Sequence, residues 1–353
     1  MEFEKLYPKD RQLKTEQHLR KVWKGEIPCT YSSITSESYY RGMRPREKMY
    51  QAAAENILLN AKYPGYNPPR FIVDYETVST AAYWGGRVKL PVGGHLSIEP
   101  IIRSAEEAEN VFPKEPREGD AGKGLEDFEQ VKRILGTEDL YCTTIDFQGP
   151  LNTAALLWEQ VDFMTSMYTD PEMVHHLLGR VTDHLIRVMK YFVEKSGHKV
   201  CANTWPYIWL PDDMGMCMTE DYMPLLSPEL YREFGIPYVE RISREFGGLF
   251  LHCCGEYSHQ LEVLKNSDIN LLGLEFHYPY MDPKVLFDTF GGSVLFVPFL
   301  SAKGMDEFPR FSDYLWYLHS IQKPDTRLWL LLDPNDPDYE RQLEAARAIC
   351  GEV

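Results

Sequence analysis

The sequence predicts an α/β fold built on a parallel sheet. Short β-branched and aromatic runs alternate with amphipathic segments of helical length. Several helical segments open with a capping residue followed by proline, as in Asp170-Pro171, Ser227-Pro228 and Asp282-Pro283. The length of 353 residues suits one α/β barrel with an N-terminal extension. A doubly wound sheet would show the same alternation, but no glycine-rich phosphate fingerprint follows any strand.

Residues 1–45 read as an N-terminal arm, helical to about Pro28, ahead of a body at 46–353. Apolar spacing predicts a helix over Met49–Ala61, stopped by Tyr63-Pro64-Gly65. Arg70–Tyr75 reads as the first barrel strand, with Asp74 near its end. Gly85–Pro100 suits a hairpin or long loop, and Pro113–Gly124 an exposed loop. Further strands are expected at Leu140–Ile145, Lys199–Asn203, Gly248–His252, Asn270–Leu274, Ser293–Val297 and Arg327–Leu332. Helices are expected at Pro171–Ser196, Pro228–Glu245, Tyr257–Asn266, Pro283–Phe290 and Asp338–Ala348.

A formal charge of −16 argues against a nucleic-acid binder and against docking on an anionic membrane. The N-terminus is charged throughout and lacks the apolar stretch of a signal peptide. No apolar run is long enough to span a bilayer. Seven cysteines without framework spacing suggest a reduced, cytoplasmic protein.

The sharpest chemical feature is Gly248-Leu249-Phe250-Leu251-His252-Cys253-Cys254-Gly255. Side chains alternate along a strand, so His252 and Cys254 share one face and Cys253 takes the other. An imidazole and a thiolate side by side are natural zinc ligands, although either alone is more often a packed core residue. The next strand candidate ends in Glu275 and the last one in Asp333, acids that suit metal ligation or ordinary solvated and capping roles. The loop from Trp205 through Asp212 and Asp213 to Gly215 interleaves aromatics with paired acids, as a pocket loop or a surface loop would. His277 and Tyr278 follow Glu275 and line either the same mouth or a packing loop. The candidates are therefore His252, Cys254, Glu275 and Asp333 for metal, Asp213 and Tyr278 for catalysis, and Asp74, Trp205, Asp212 and His277 for substrate. No nucleophile elbow, His-Glu-x-x-His helix or Walker loop is present.

The order of motifs resembles the uroporphyrinogen decarboxylase superfamily. Asp146-Phe147-Gln148-Gly149-Pro150-Leu151-Asn152-Thr153-Ala154-Ala155 is similar to its Gly-Pro-x-Thr-x-Ala segment. Asp170-Pro171-Glu172-Met173-Val174-His175, Asp212-Asp213-Met214-Gly215, Leu226-Ser227-Pro228-Glu229-Leu230-Tyr231, Pro237-Tyr238 and His252-Cys253-Cys254-Gly255 follow in the family's order. The resemblance covers the chain from about Arg46 onward and implies a (β/α)8 TIM barrel. The superfamily holds decarboxylases and cobalamin-dependent methyltransferases. The Arg-Gln-Ala-Gly-Arg signature of the former is missing here; the nearest basic text is Arg41-Gly42-Met43-Arg44-Pro45-Arg46. The methyltransferase branch is the nearer likeness, and it implies zinc on His252 and Cys254, with Glu275 matching an acid on the strand between. The branch's second cysteine is absent; Asp333 stands nearest its place, and Cys350 falls in the last helix. The implied activity is methyl transfer between a corrinoid carried by a partner protein and a thiol or similar small molecule, by a monomer or homodimer. A decarboxylase or lyase anchored by Arg70 and Arg103, or a non-catalytic binding relative, are the alternatives.

Overall fold

The computed structural model describes residues 2–35, 46–73, 75–89, 96–201 and 208–352. Among these residues nine strands run parallel. They are β1 (Cys29–Ser33), β2 (Arg70–Phe71), β5 (Tyr141–Thr143), β6 (Val200–Cys201), β7 (Met216–Thr219), β8 (Leu249–His252), β9 (Leu271–Tyr278), β10 (Leu295–Leu300) and β11 (Arg327–Leu332). The segment after Gly85 forms an antiparallel hairpin, β3 (Arg87–Lys89) with β4 (Ser97–Glu99).

One sheet has the order β1-β11-β10-β9-β8-β7, and a second the order β2-β5-β6. Isolated bridges tie Ser32 of β1 to Gly65, ahead of β2, and Thr219 of β7 to Gln148, after β5, so the two sheets lie edge to edge as parts of one TIM-barrel wall. Helices pack outside it. The 25-residue helix Pro171–Lys195 shows why: Val174, Leu177, Leu178, Val181, Leu185 and Val188 make one apolar stripe, and Asp170 accepts a hydrogen bond from Met173 N as the expected cap.

The wall has two apolar sides. Leu249, Leu251, Leu274, Phe296, Leu328 and Leu330 pack under the helices. Phe250, Leu295, Val297, Trp329 and Cys217 belong to a separate inner cluster. Neighbouring residues of β8 and β10 thus alternate between helix layer and barrel lumen. The Lys9–Trp23 helix buries Thr15, Leu19, Val22 and Trp23 on one face and supplies the last three to the inner cluster. Trp23 Nε1 donates to the Trp209 carbonyl at 2.7 Å, and Arg327, the first residue of β11, donates to the Val22 and Trp23 carbonyls at 2.6 and 2.9 Å. This helix therefore plugs the end of the barrel where the strands begin.

Several local expectations are corrected. β1 lies inside the stretch read as an arm; its sequence, Cys-Thr-Tyr-Ser-Ser, carries no aliphatic alternation. The Pro113–Gly124 segment is not a free loop, because the Asp120–Leu135 helix begins within it. A Cβ at Gly124 would sit 2.3 Å from Val73 Cγ1, so this turn packs directly on the barrel. The Pro228–Glu245 helix breaks at Gly235 into Pro228–Phe234 and Ile236–Phe246, just ahead of Pro237. The all-reduced cysteine set is also corrected: Cys29 and Cys350 form a disulfide that ties β1 to the last helix. A pairing across 321 positions leaves no local spacing to read. No helix of the described residues is long and apolar enough to cross a membrane.

Candidate metal centre

β8 and β9 deliver the central groups. Leu251 pairs with Leu274, so His252 ends its strand beside Glu275. His252 Nδ1 is hydrogen-bonded to Glu275 Oε2, and Glu275 Oε1 to His277 Nε2 at 2.8 Å. Glu275 is fully buried. Burial alone would raise its carboxyl, but the His252 and His277 imidazoles outweigh that and hold it below the ordinary glutamate range. Burial likewise opposes protonation of His252. The Glu275 carboxylate, with Cys254 and Asp221, reverses that and lifts the imidazole well above its usual value.

β7 pairs Thr219 with His252, and two residues further on Asp221 reaches the same place. Asp221 Oδ1 lies 3.8 Å from His252 Nε2 and accepts a hydrogen bond from Cys254 N at 2.9 Å. Ligand atoms of Asp221, His252 and Cys254 all fall within 4.8 Å of one another, and so do those of His252, Glu275 and His277. Cys254 is exposed, whereas Cys253 is buried in the helix-side core and burial pushes its thiol well up. Asp146 backs the cluster: it is buried, accepts from Gln148 Nε2 at 2.9 Å and Thr219 Oγ1 at 3.1 Å, and its carboxyl is raised by burial. The strand C-termini thus gather a nitrogen, a sulfur and carboxylate oxygens, the donor set that zinc takes.

Other sequence candidates stand elsewhere. Asp213 is exposed and pairs with Arg20 at 2.9 Å, and Asp212 Oδ2 is hydrogen-bonded to His198 Nδ1 at 2.7 Å. Both precede β7, on the plugged end of the barrel, so the structure does not bring them to His252. Tyr278 alternates out of the lumen: its hydroxyl meets Glu307 and its ring packs with Phe308, Tyr314 and Tyr317. Asp333 is exposed and caps its own turn, accepting from Asn335 N at 2.9 Å; it belongs to neither ligand group. Asp74 and Trp205 lie outside the described residues. Arg70 opens β2 rather than ending it, and Arg103 is exposed, so neither stands as a cationic anchor within the cluster. Asp146 entered the sequence analysis only as the first residue of the Gly-Pro-x-Thr-x-Ala segment, not as a site residue, and Asp221 did not enter it. The signal was an acid just past a strand, the same that marked Glu275, but Met216-Cys217-Met218-Thr219 does not read as a strand by residue type.

Fold and cluster together define a TIM-barrel protein with side chains able to hold a metal ion at the mouth where the strands end. The chain belongs to the uroporphyrinogen decarboxylase family, whose model matches residues 66–285. A uroporphyrinogen decarboxylase of Myxococcus xanthus (strain DK1622) is 27% identical over 189 residues, 50% of this chain and 48% of that protein. One from Xanthomonas euvesicatoria pv. vesicatoria (strain 85-10) is 33% identical over 78 residues, 22% of this chain and 18% of that protein. The chain thus matches about half the length of these relatives, or less. Among solved structures, a methyltransferase from Methanosarcina mazei superposes with a TM-score of 0.68 at 16% identity, covering 96% of this chain and 98% of that one. At that identity the likeness is one of fold.

Proposed function

We propose that this chain is a zinc-dependent methyltransferase moving a methyl group between a corrinoid held by a partner protein and a thiol or similar small molecule. One observation carries the reading: an imidazole, a thiol and a carboxylate, from His252, Cys254 and Asp221, converge at the open end of the barrel. His252 through Nε2, Cys254 and Asp221 would hold the ion. Asp221 takes the part that the sequence reading gave to Asp333. Bound zinc keeps a substrate thiol in its nucleophilic thiolate form at neutral pH.

The chain's own groups prepare that site. Glu275 engages His252 Nδ1, which fixes the ring and turns Nε2 toward Asp221. His277 occupies the second Glu275 oxygen, and Phe299 stacks on His277 with centroids 5.1 Å apart, shielding the buried carboxylate from water. The M. mazei methyltransferase fold supports the reading across nearly the whole chain. Cytoplasmic residence and a monomeric or homodimeric state belong to the same proposal.

The test is thiol-dependent demethylation of free methylcobalamin by the purified, zinc-loaded chain, followed by the corrin absorbance. The expected result is turnover that falls to background in His252→Ala and Cys254→Ser. Turnover unchanged in both variants, or none with any thiol of a broad panel, would remove the reading.

A further inference from the structure

A cavity of about 290 Å³ opens beside β10, β11 and β1, next to the metal-ligand cluster. Its floor is apolar, formed by Ile34, Phe299, Leu300, Leu331 and Leu332, with Met305 exposed at the rim. The contact with the cluster is direct, since Phe299, which lines the cavity, stacks on His277. Its buried polar lining is Thr35 and Gln342, and the Thr35 hydroxyl is already committed to Asn56 and Asn60. Gln342 is 1% exposed, and its Oε1 has no hydrogen-bond partner. A buried amide left unpaired is costly, so this one is better satisfied by a ligand that reaches it.

The charge at the rim selects further. Asp333 and Asp336 line the cavity, and no Lys, Arg or His does among the described residues. An anionic group brought here would meet like charge from both acids, with no cation among the described lining residues to offset it. A neutral or cationic group meets no such cost. The size is ample, because an apolar cavity of roughly 150 Å³ already takes benzene.

We propose that this cavity binds the ring or branched alkyl body of a small, neutral or cationic molecule, hydrogen-bonded to the Gln342 amide. Carboxylate- and sulfonate-bearing ligands bind more weakly. Identifying that molecule as the substrate rests on the methyl-transfer reading, whereas its binding does not.

Three probes of one size and shape separate these cases: benzyl alcohol, benzylamine and benzoate, titrated calorimetrically into the full-length zinc-loaded chain. Benzyl alcohol and benzylamine are expected to bind saturably, and benzoate at least tenfold more weakly. Filling the cavity with Leu331→Trp should abolish binding of the first two. Met305→Trp, at an exposed rim position that tolerates change, should do the same should Leu331→Trp fail to fold. Gln342→Leu should weaken both about tenfold. Equal binding of benzoate, no saturable binding by any probe, or undiminished binding in the folded tryptophan variants would overturn the proposal. Zinc content and cobalamin turnover of the same samples report on the metal-site reading separately.

Discussion

His252 and Glu275, 23 positions apart in sequence, are hydrogen-bonded neighbours on adjacent parallel strands, with the carboxylate wholly buried. The pair compensates its own desolvation: an isolated carboxylate at that depth would be neutral, and an isolated imidazole would be unprotonated. Glu275→Gln leaves shape and removes charge. It is expected to weaken zinc retention by about 10–100-fold through loss of ring orientation, read by competition with a chelator. Retention equal to the parent would show that Glu275 does not orient His252.

The barrel's plugged end makes a second prediction. Trp23 packs edge-on to Phe250 and beside Trp329, and its indole is hydrogen-bonded to the Trp209 carbonyl. Trp23→Ala should lower unfolding free energy by about 3–5 kcal/mol in a denaturant titration. Removal of residues 1–45 takes away both this plug and β1, so the 46–353 piece alone is expected not to fold cooperatively. A cooperative transition in that piece would show the arm to be dispensable.

Two glycines should respond with opposite signs. A Cβ at Gly122 would lie 2.1 Å from the Arg117 carbonyl oxygen, whereas one at Gly179, within the Pro171–Lys195 helix, meets nothing within 4 Å. Gly122→Ala should destabilise by about 1–3 kcal/mol, since backbone must shift to admit it. Gly179→Ala should stabilise by about 0.5–1 kcal/mol through helix propensity. Thermal melts of the two variants check both signs.

His184 sets a pH dependence remote from the cluster. It is buried, edge-on to Tyr83 and Trp84, with Arg187 Nη2 3.4 Å from its Nδ1. Burial first, and Arg187 second, lower its pKa from 6.5 to about 4. The unfolded chain therefore takes up this proton at a higher pH than the fold does. Stability should decline as pH falls from 6.5 towards 4, by roughly 2–3 kcal/mol for this group. His184→Phe should flatten that part of the profile; an unchanged slope in denaturant titrations across the range would contradict the assignment.

Much of the frame was legible because it repeats simple local rules. Arg327–Leu332 is a continuous apolar strand and was bounded to the residue; Pro283–Phe290 was fixed by Asp282 and Pro283. The alternation rule put His252 and Cys254 on one face and Cys253 on the other, which is how they lie. Other features depend on partners that no local window holds. β1 is polar and becomes a strand because β11 offers it a complete ladder, and β7 is held between β8 and the Gln148 bridge. Asp213 looked like a pocket acid, yet its position before β7 rather than after it sends it to the plugged end with Arg20. Tyr278 was displaced by one step of strand parity.

His252, Cys254 and Asp221 are expected to hold a zinc ion together. Metal analysis of the purified chain by plasma mass spectrometry, after dialysis against a weak chelator, tests it most directly. About one zinc per chain is expected in the parent and in Asp333→Asn, with loss in His252→Ala and marked depletion in Cys254→Ser and Asp221→Asn. A parent chain free of zinc after zinc supplementation, or full zinc content in both His252→Ala and Cys254→Ser, would contradict it.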